Sequence, residues 1–413
     1  MRLTESVLNQ VARAAPTQPG KQPRKQIPSA PPFDPTTLDV VFNRATLEGR
    51  EVEFMAEAVR TGQISGDGPF THKCQTWLEV VLGVQKALLA TSCTDALEMA
   101  AILLNLQPEA EVIVPSFTFV STANAFVLHG ARPVFCDVRP DTLNLDEKQL
   151  PELLTPRTRA VVVVHYGGVG CEMPAIQTLV ERDGITLIED NAHGLLARHR
   201  GHFLGTFGAL AALSFHETKN FTCGEGGALL INDERYIDRA EVIRQKGTNR
   251  ARFSRGEVDK YTWRDVGSSY LPSDLLAAFL YAQFLKADQI QAKRRRVWEY
   301  YLQHLQDWAR TQQVGLPVVP PHNEQAYHLF YMLMPSLEAR QALIQQLRSL
   351  NILSVFHYQP LHLSDMGRRF GGKPGMCPVA EAVNERIIRL PFYNDLSQCK
   401  QDKVVEAVRQ FTV

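Results

Sequence analysis

The sequence predicts an α/β protein with a large, mainly parallel β-sheet domain and a smaller C-terminal α/β domain. Two observations lead to this prediction. Apolar runs rich in Val, Ile and Leu alternate with helical patterns between about residues 40 and 233, which is typical of parallel strands buried on both faces. A long helical region follows residue 270 and precedes further apolar runs. We expect the large domain over 36–270 and the smaller domain, with its long helix, over 271–413.

The individual elements follow from short apolar runs and from helical periodicity. Strands are predicted at 86–91, 111–115, 133–138, 160–166, 185–190, 212–216 and 227–232. Between them, helices are predicted at 93–105 and 173–184. In the smaller domain we expect a helical region over 273–308, apolar segments at 326–334 and 352–358, and a helix over 337–350.

Composition excludes several classes of protein. Lys and Arg total 44, as do Asp and Glu, so the formal net charge is zero, which argues against a nucleic-acid binder that works by bulk charge. The seven cysteines are scattered, without a CxxC pair. They indicate reduced thiols rather than a disulfide framework or a zinc site, and we predict no metal. Since no apolar run reaches about 18 residues, and no signal-peptide core is present, we expect a cytoplasmic protein without a membrane partner.

The first 35 residues differ from the rest of the chain. They contain the stretch APTQPGKQPRKQIPSAPPFDPT, which is rich in proline and polar residues. Such a composition buries too little apolar surface to fold alone. We therefore expect residues 1–35 to form a flexible extension, or an arm that becomes ordered only against a partner subunit.

The ends of four predicted strands carry residues suited to one ligand. In an open parallel sheet the carboxyl ends of the strands meet at one edge, where ligands bind. The residues at these ends are Ser92, Thr94, Phe117, Phe119, Asp190, His193 and Lys219. Each alone has a plain structural interpretation, such as a solvated lysine, a helix-capping aspartate or a core aromatic. Their predicted position at one edge favours a shared site.

The chemistry of these residues matches pyridoxal 5′-phosphate. A helix N-terminus with hydroxyl groups binds phosphate, and an aromatic face stacks on a flat ring. A carboxylate pairs with a protonated pyridine nitrogen, and a lysine forms a Schiff base with an aldehyde. Asp190 and Lys219 are the candidates for these last two contacts.

From about Gly62 to the C-terminus the chain resembles the DegT/DnrJ/EryC1/StrS sugar aminotransferases, which have the aspartate aminotransferase-like (type I) fold. The resemblance lies in SCTDALEMAA, PSFTFVSTANAFVLHGARPVF, IEDNAHG, SFHETKNFTCGEGGALLIND and FHYQPLH, among other stretches. HETKN, KGTNR and DKYTWRDVGSSYL are not general family features. They resemble the members that aminate a dTDP-linked 4-keto-6-deoxy sugar.

The resemblance implies roles for individual residues. Lys219 is the implied catalytic residue, covalently joined to pyridoxal 5′-phosphate, and Asp190 is the implied partner of the ring nitrogen. The other cofactor contacts that it implies are Thr94, the backbone of Asp95, Phe119, His193 and Ser214. For the substrate, the candidates are Arg264, one of several basic residues in 244–264 with Arg244, Lys246 and Arg250, together with Tyr358 and His362.

Two family positions differ in this chain. Ser269 stands where the family usually has an asparagine that reaches the second subunit's phosphate, and EDNAH replaces the more usual EDAAQ. These differences leave open whether the second-subunit contact and the contact to the cofactor's phenolic oxygen are kept.

The implied reaction moves an amino group from L-glutamate to the 4-keto carbon of dTDP-4-dehydro-6-deoxyglucose, giving dTDP-4-amino-4,6-dideoxygalactose. Because type I members build each active site from two subunits, we expect a homodimer. Another nucleotide sugar or keto position is the alternative within the family. A dehydratase would carry histidine at the position of Lys219, which argues against it, and a non-catalytic cofactor-binding regulator would leave Lys219 and Asp190 unexplained.

Overall fold

The computed structural model describes residues 38–413, so the predicted extension over 1–35 lies outside the described residues. The strands are β1 (Lys86–Ala90), β2 (Glu111–Pro115), β3 (Arg132–Cys136), β4 (Thr158–Val164), β5 (Thr186–Asp190), β6 (Arg198–His199), β7 (His202–Phe203), β8 (Leu210–Ser214), β9 (Gly227–Ile231), β10 (Asn323–Glu324), β11 (Tyr331–Leu333) and β12 (Ile387–Arg389). All seven strands predicted in the large domain are present, within two residues of the expected bounds.

The α-helices lie before, between and after these strands along the chain. They are α1 (Glu51–Thr61), α2 (Pro69–Leu82), α3 (Cys93–Leu103), α4 (Ser121–Val127), α5 (Leu150–Leu153), α6 (Met173–Arg182), α7 (Ile237–Arg244), α8 (Arg250–Ser254), α9 (Asp274–Phe284), α10 (Ala287–Thr311), α11 (Leu337–Ser349), α12 (Asp365–Arg369), α13 (Pro378–Arg386) and α14 (Gln398–Arg409).

The central sheet has seven strands in the order β1-β9-β8-β5-β4-β2-β3. Strand β9 runs antiparallel to both of its neighbours, whereas the pairs β8–β5, β5–β4, β4–β2 and β2–β3 are parallel. The loop from β8 to β9 contains no helix, and an antiparallel pair needs no helical crossover. The predicted mainly parallel sheet is confirmed.

Two predicted segments differ from the structure. The helical region over 273–308 is two helices, because α9 ends at Phe284 and α10 begins at Ala287. The apolar segment 352–358 was expected to add regular structure to the smaller domain, but it makes only isolated bridges, Val40 with Ile352 and Val355 with Arg389. The small two-stranded sheet instead pairs β11 with β12.

A buried aspartate connects the two halves of the chain. Asp274, at the start of α9, is fully buried and accepts hydrogen bonds from the first turn of α2: Thr71 N at 2.7 Å, Thr71 Oγ1 at 2.8 Å and Phe70 N at 3.1 Å. A negative charge at a helix N-terminus is stabilising. Residues 39–413 form one compact unit, and the division near residue 270 stays a prediction. Within residues 38–413, none of the helices is long and apolar enough to cross a bilayer.

Candidate active site

A cavity of about 510 Å³ opens where the parallel strands end. The last residues of β4, β5 and β8, which are Val164, Asp190 and Ser214, line it. The loops after β1, β2 and β8 form a further part of its wall. This is the edge at which open α/β sheets bind ligands.

The N-terminus of α3 forms one side of the cavity. Ser92 caps the helix by accepting a hydrogen bond from Asp95 N at 3.0 Å. Cys93 and Thr94 line the cavity, and their amide groups precede the first intrahelical hydrogen bond. Thr94 Oγ1 lies 2.7 Å from Ser121 Oγ, a second hydroxyl on the wall. Hydroxyl groups and free amides at a helix N-terminus form an anion site.

A glycine on β9 lets the backbone of this helix start come close to the sheet. A Cβ atom at Gly227 would lie 2.3 Å from Ser92 C and 2.4 Å from Cys93 N. Both are backbone atoms, so neither can turn away as a side chain would. The start of α3 therefore depends on Gly227 for its position.

Asp190 is a buried carboxylate at the end of β5. Its Oδ2 accepts a hydrogen bond from Thr122 Oγ1 at 2.7 Å, and its Oδ1 accepts one from Ala192 N at 3.3 Å. Burial raises the pKa of Asp190, while the Thr122 hydroxyl and the nearby Lys219 ammonium oppose that rise. A cationic ligand atom would stabilise the ionised carboxylate further.

The neighbouring Glu189 has a purely structural environment. Its carboxylate is fully buried and accepts hydrogen bonds from the amides of Gly205, Phe207 and Gly208 at 2.7–2.8 Å, and it also contacts His165 Nε2 at 2.9 Å. Since consecutive side chains of a strand point to opposite faces, Asp190 alone of this acidic pair lines the cavity.

Two stacked histidines form another part of the wall. The rings of His193 and His328 lie 4.0 Å apart, with 18° between their planes. Burial lowers the pKa of both well below the usual value, so both rings are neutral near pH 7. Nδ1 of His193 accepts a hydrogen bond from Gly167 N at 3.3 Å. Its neutral ring therefore carries the proton on Nε2, where it can donate.

The loop that carries Lys219 is held by its next residue. Asn220 is buried, and it donates to Ala326 O at 2.6 Å and contacts His328 Nδ1 through its Oδ1 at 2.9 Å. Lys219 is half-buried and lines the cavity. Its charge acts on the pKa values of both Asp190 and His193, so the three groups are close enough to interact.

Arg389 is a buried cation on the same wall. Its Nη2 donates to Tyr166 Oη at 2.9 Å, and the guanidinium lies 4.8 Å from the ring centre of Tyr358. In the part of the chain that the structure describes, no carboxylate forms an ion pair with it, and its Nε is buried without a hydrogen-bond partner. A buried cation without an ion-pair partner among residues 38–413 favours an anion from outside these residues.

The comparisons with known proteins agree with this fold. Residues 46–409 match the model of the DegT/DnrJ/EryC1/StrS aminotransferase family. The chain belongs to this family. Its members and structural relatives are pyridoxal 5′-phosphate-dependent sugar aminotransferases, and the type I fold expected from the sequence is confirmed.

Three relatives illustrate the similarity. The spore coat polysaccharide biosynthesis protein SpsC of Bacillus subtilis is 32% identical over 369 residues, which is 87% of this chain and 93% of that protein. The aminotransferase TlmJ from Streptoalloteichus hindustanus is 30% identical with a TM-score of 0.82, covering 90% of this chain and 98% of its own. A family member from Brucella abortus is 29% identical with a TM-score of 0.79, covering 88% and 95%.

The aminotransferase brings most of its sequence-predicted site residues to one cavity. Those that line it are Thr94, Phe119, Asp190, His193, Ser214, Lys219 and Tyr358. Phe119 is 54% exposed, and its ring lies 5.9 Å from that of Tyr358. The side chains present fit the cofactor, because a buried carboxylate, a lysine and an anion-binding helix start share one cavity.

Three predicted site residues do not line the cavity, and each has another environment. Asp95 N is already bonded to Ser92 Oγ, and the carboxylate of Asp95 accepts from Thr91. His362 is fully buried between Ser116 Oγ at 2.5 Å and Glu381 Oε1 at 2.9 Å.

The third, Arg264, is exposed, and within residues 38–413 only its backbone makes a hydrogen bond, to Gly247 O at 2.7 Å. Of the other basic candidates for the nucleotide, Arg244 is buried and bonded to Gln75 at 2.6 Å and to Asp67 at 2.8 Å.

Sequence reasoning missed Thr122, His328 and Arg389. Thr122 lies in the stretch PSFTFVST, one helical turn after Phe119, so its proximity to the site could have been predicted. His328 and Arg389 come from the second half of the chain, and no motif connects them to Lys219. Only the tertiary structure brings them to the cavity.

Proposed function

We propose that this enzyme holds pyridoxal 5′-phosphate covalently at Lys219 and transfers an amino group from L-glutamate to the 4-keto carbon of a nucleotide-linked 4-keto-6-deoxy sugar. The observation that supports it is the shared cavity of Lys219, Asp190 and the α3 N-terminus. The stretches HETKN, KGTNR and DKYTWRDVGSSYL favour dTDP-4-dehydro-6-deoxyglucose as the acceptor. The product would be dTDP-4-amino-4,6-dideoxygalactose.

Each side chain has a distinct task in this proposal. Pyridoxal 5′-phosphate supplies an electron sink for transamination. Asp190 would stabilise a positive ring nitrogen, and the hydrogen bond from Thr122 favours the ionised form of that carboxylate. His193, with its proton on Nε2, would donate a hydrogen bond to the cofactor's phenolic oxygen. Lys219, once freed as a neutral amine, moves a proton as a general base and acid.

Arg389 supports a carboxylate-bearing amino donor. Its guanidinium is buried on the cavity wall without a carboxylate partner among residues 38–413. A guanidinium binds a carboxylate through two parallel hydrogen bonds, so L-glutamate would complete this wall. Tyr166 and Tyr358 hold the cation in place.

Separate observations support the proposed assembly and location of the enzyme. Type I members build each site from two subunits, and the exposed Trp263 lies in the loop that carries Ser269. We therefore propose a homodimer. All seven cysteines are free, which agrees with a cytoplasmic enzyme. The relative SpsC takes part in spore coat polysaccharide biosynthesis, and a cell-surface polysaccharide is the proposed destination of this amino sugar.

Two experiments test the proposal. Borohydride reduction should attach the cofactor to the peptide that contains Lys219, and Lys219→Ala should abolish both this label and the amino-sugar product. Incubation with L-glutamate and dTDP-4-dehydro-6-deoxyglucose, followed by NMR of C4 in the product, tests the acceptor. A turnover-competent Lys219→Ala protein would disprove the role of Lys219.

The alternative hypothesis within the family is an enzyme that acts on a different nucleotide sugar or keto position. It predicts cofactor labelling at Lys219 without turnover of the dTDP sugar. A non-catalytic cofactor-binding protein predicts labelling without amino transfer from glutamate to any keto sugar. The same two experiments therefore separate the proposed function from both alternatives.

The donor site has its own test. Arg389→Gln should raise the KM for L-glutamate by at least about tenfold, since a charge-assisted hydrogen bond contributes about 1.5–3 kcal/mol. The KM for the keto sugar should change far less. Equal increases in both values would show that Arg389 supports the fold rather than the donor.

A further inference from the structure

A second group of ligand-type side chains lies outside the described cavity. Glu172, His199 and His322 each present one ligand atom, and these atoms lie within 4.8 Å of one another. The three residues come from the start of α6, from β6 and from the segment just before β10. None of them lines the cofactor cavity.

His199 already has the protonation that a metal ligand needs. Its ring is fully buried, and its Nδ1 lies 3.1 Å from Asn323 Oδ1. The amide of Asn323 donates from Nδ2 to Gly170 O at 3.2 Å, which fixes Oδ1 as the acceptor. Nδ1 of His199 therefore carries the proton, and Nε2 has a free lone pair. An imidazole oriented by a neighbouring oxygen is typical of metal-binding histidines.

The free lone pair lacks a partner. Nε2 of His199 is buried and makes no hydrogen bond within residues 38–413. A buried polar atom without a partner costs stability. The ring of His322 lies 4.9 Å from that of His199, at 75°. A cation between these residues would satisfy the buried nitrogen.

Glu172 and His322 supply the remaining ligands. His322 Nε2 lies 3.1 Å from Glu172 Oε1, and their side chains are 31% and 21% exposed, which leaves a route for an ion. Glu172 precedes α6 but its side chain does not cap the helix. Two imidazoles and one carboxylate are a known zinc ligand set, with water as the fourth ligand.

We propose that Glu172, His199 and His322 bind one divalent transition-metal ion of the zinc class. In a tetrahedral site with zinc bonds of about 2.0–2.2 Å the ligand atoms would lie about 3.4 Å apart. The His322–Glu172 pair, at 3.1 Å, would separate slightly, and Nε2 of His199 lies within 4.8 Å of both atoms. Such an ion would join segments that the fold already brings together, since Arg200 N donates to His322 O at 2.7 Å and β6 pairs with β10.

The proposed ion has a structural consequence for the enzyme. Beyond β10 the chain continues to Ala326, whose carbonyl holds Asn220, and to His328 on the cavity wall. The ion would stabilise this segment by binding only the folded chain. It is not a reactant in amino transfer.

Zinc binding by the cofactor-loaded enzyme tests the proposal. After chelation and dialysis, each protein is titrated with Zn²⁺ against a chromophoric competitor, in a Cys399→Ser background that removes the exposed thiol. We expect one zinc ion per chain. His199→Gln and His322→Gln should each weaken binding at least about 100-fold, since loss of an outer contact alone costs about 10–100-fold.

A nearby histidine provides the matched control. His202, on β7, is exposed and belongs to no ligand group, so His202→Gln should bind zinc as the parent does. Zinc should raise the unfolding temperature of the parent and of His202→Gln but not of the two ligand variants. His322 is partly exposed, so His322→Gln decides the question if His199→Gln does not fold. Equal zinc binding in parent and ligand variants, or no zinc retained by the parent at equimolar concentration, would overturn the proposal.

Discussion

The position of the α3 N-terminus can be tested with a single added methyl group. In Gly227→Ala the new Cβ would lie 2.3 Å from Ser92 C and 2.4 Å from Cys93 N, whereas ordinary contacts begin at 3.4 Å. The two backbones must therefore separate by about 1 Å. Strand β9 is paired on both sides, with β1 and β8, so the first turn of α3 has to move.

This displacement should weaken cofactor binding more than folding. A shift of about 1 Å at a positioned group costs about 100-fold, which is about 2.7 kcal/mol. The affected groups are the amides and hydroxyls of residues 92–94, which we propose as contacts of the cofactor phosphate. We expect the Kd for pyridoxal 5′-phosphate to rise about 100-fold.

The assay is an absorbance titration of the cofactor-free enzyme with pyridoxal 5′-phosphate. Ala228→Gly is the matched control, because residue 228 is the next on β9 and faces the other side of the sheet. It should change the Kd less than about threefold, since no contact to α3 is altered. A Gly227→Ala protein that is folded and binds the cofactor as tightly as the parent would refute the assigned phosphate site.

Three further perturbations have expected outcomes. Thr122→Val removes the hydrogen bond to Asp190, which should raise the pKa of that carboxylate and weaken cofactor binding about tenfold or more. Thr122→Ser should restore tight binding. An unchanged Kd in Thr122→Val would contradict the role given to this hydrogen bond. Asp274→Ala removes three hydrogen bonds to α2 and should lower the free energy of unfolding by about 3 kcal/mol in urea denaturation. An unchanged free energy of unfolding would show that these hydrogen bonds do not stabilise the fold. His328 has a pKa lowered by burial, so the folded state loses stability as the pH falls below about 6.5, by about 1.4 kcal/mol per pH unit. His328→Gln should reduce this slope in denaturation measured at several pH values, although the buried His193 also contributes to it, whereas the exposed His202→Gln should leave it unchanged.

The sheet was predictable because its signal is local. A strand buried on both faces must be apolar along its whole length, so each of the seven strands appears as a short Val, Ile and Leu run. The carboxyl ends of such strands share one edge, which placed Asp190 and Lys219 together. The antiparallel direction of β9 was not predicted, because strand direction depends on the connection and not on composition.

Residues without a local signal were misplaced or missed. His362 lies in a stretch that resembles a family motif, yet its ring is used to hold Ser116 and Glu381. Arg389 follows no motif, and it reaches the cavity because β12 pairs with β11. Such contacts depend on how distant segments pack, which periodicity does not report.

The sequence by itself determined the fold class, the family and the edge of the sheet where the lysine and the aspartate meet, since hydrophobic patterning and motif spacing act over a few residues. The tertiary structure alone decided which side chains face the cavity and which are consumed by internal hydrogen bonds. It also brought Glu172, His199 and His322 together across 150 residues of sequence. The physical reason is that long-range packing, not local propensity, decides whether each buried polar group has a hydrogen-bond partner within the chain or is left for a ligand.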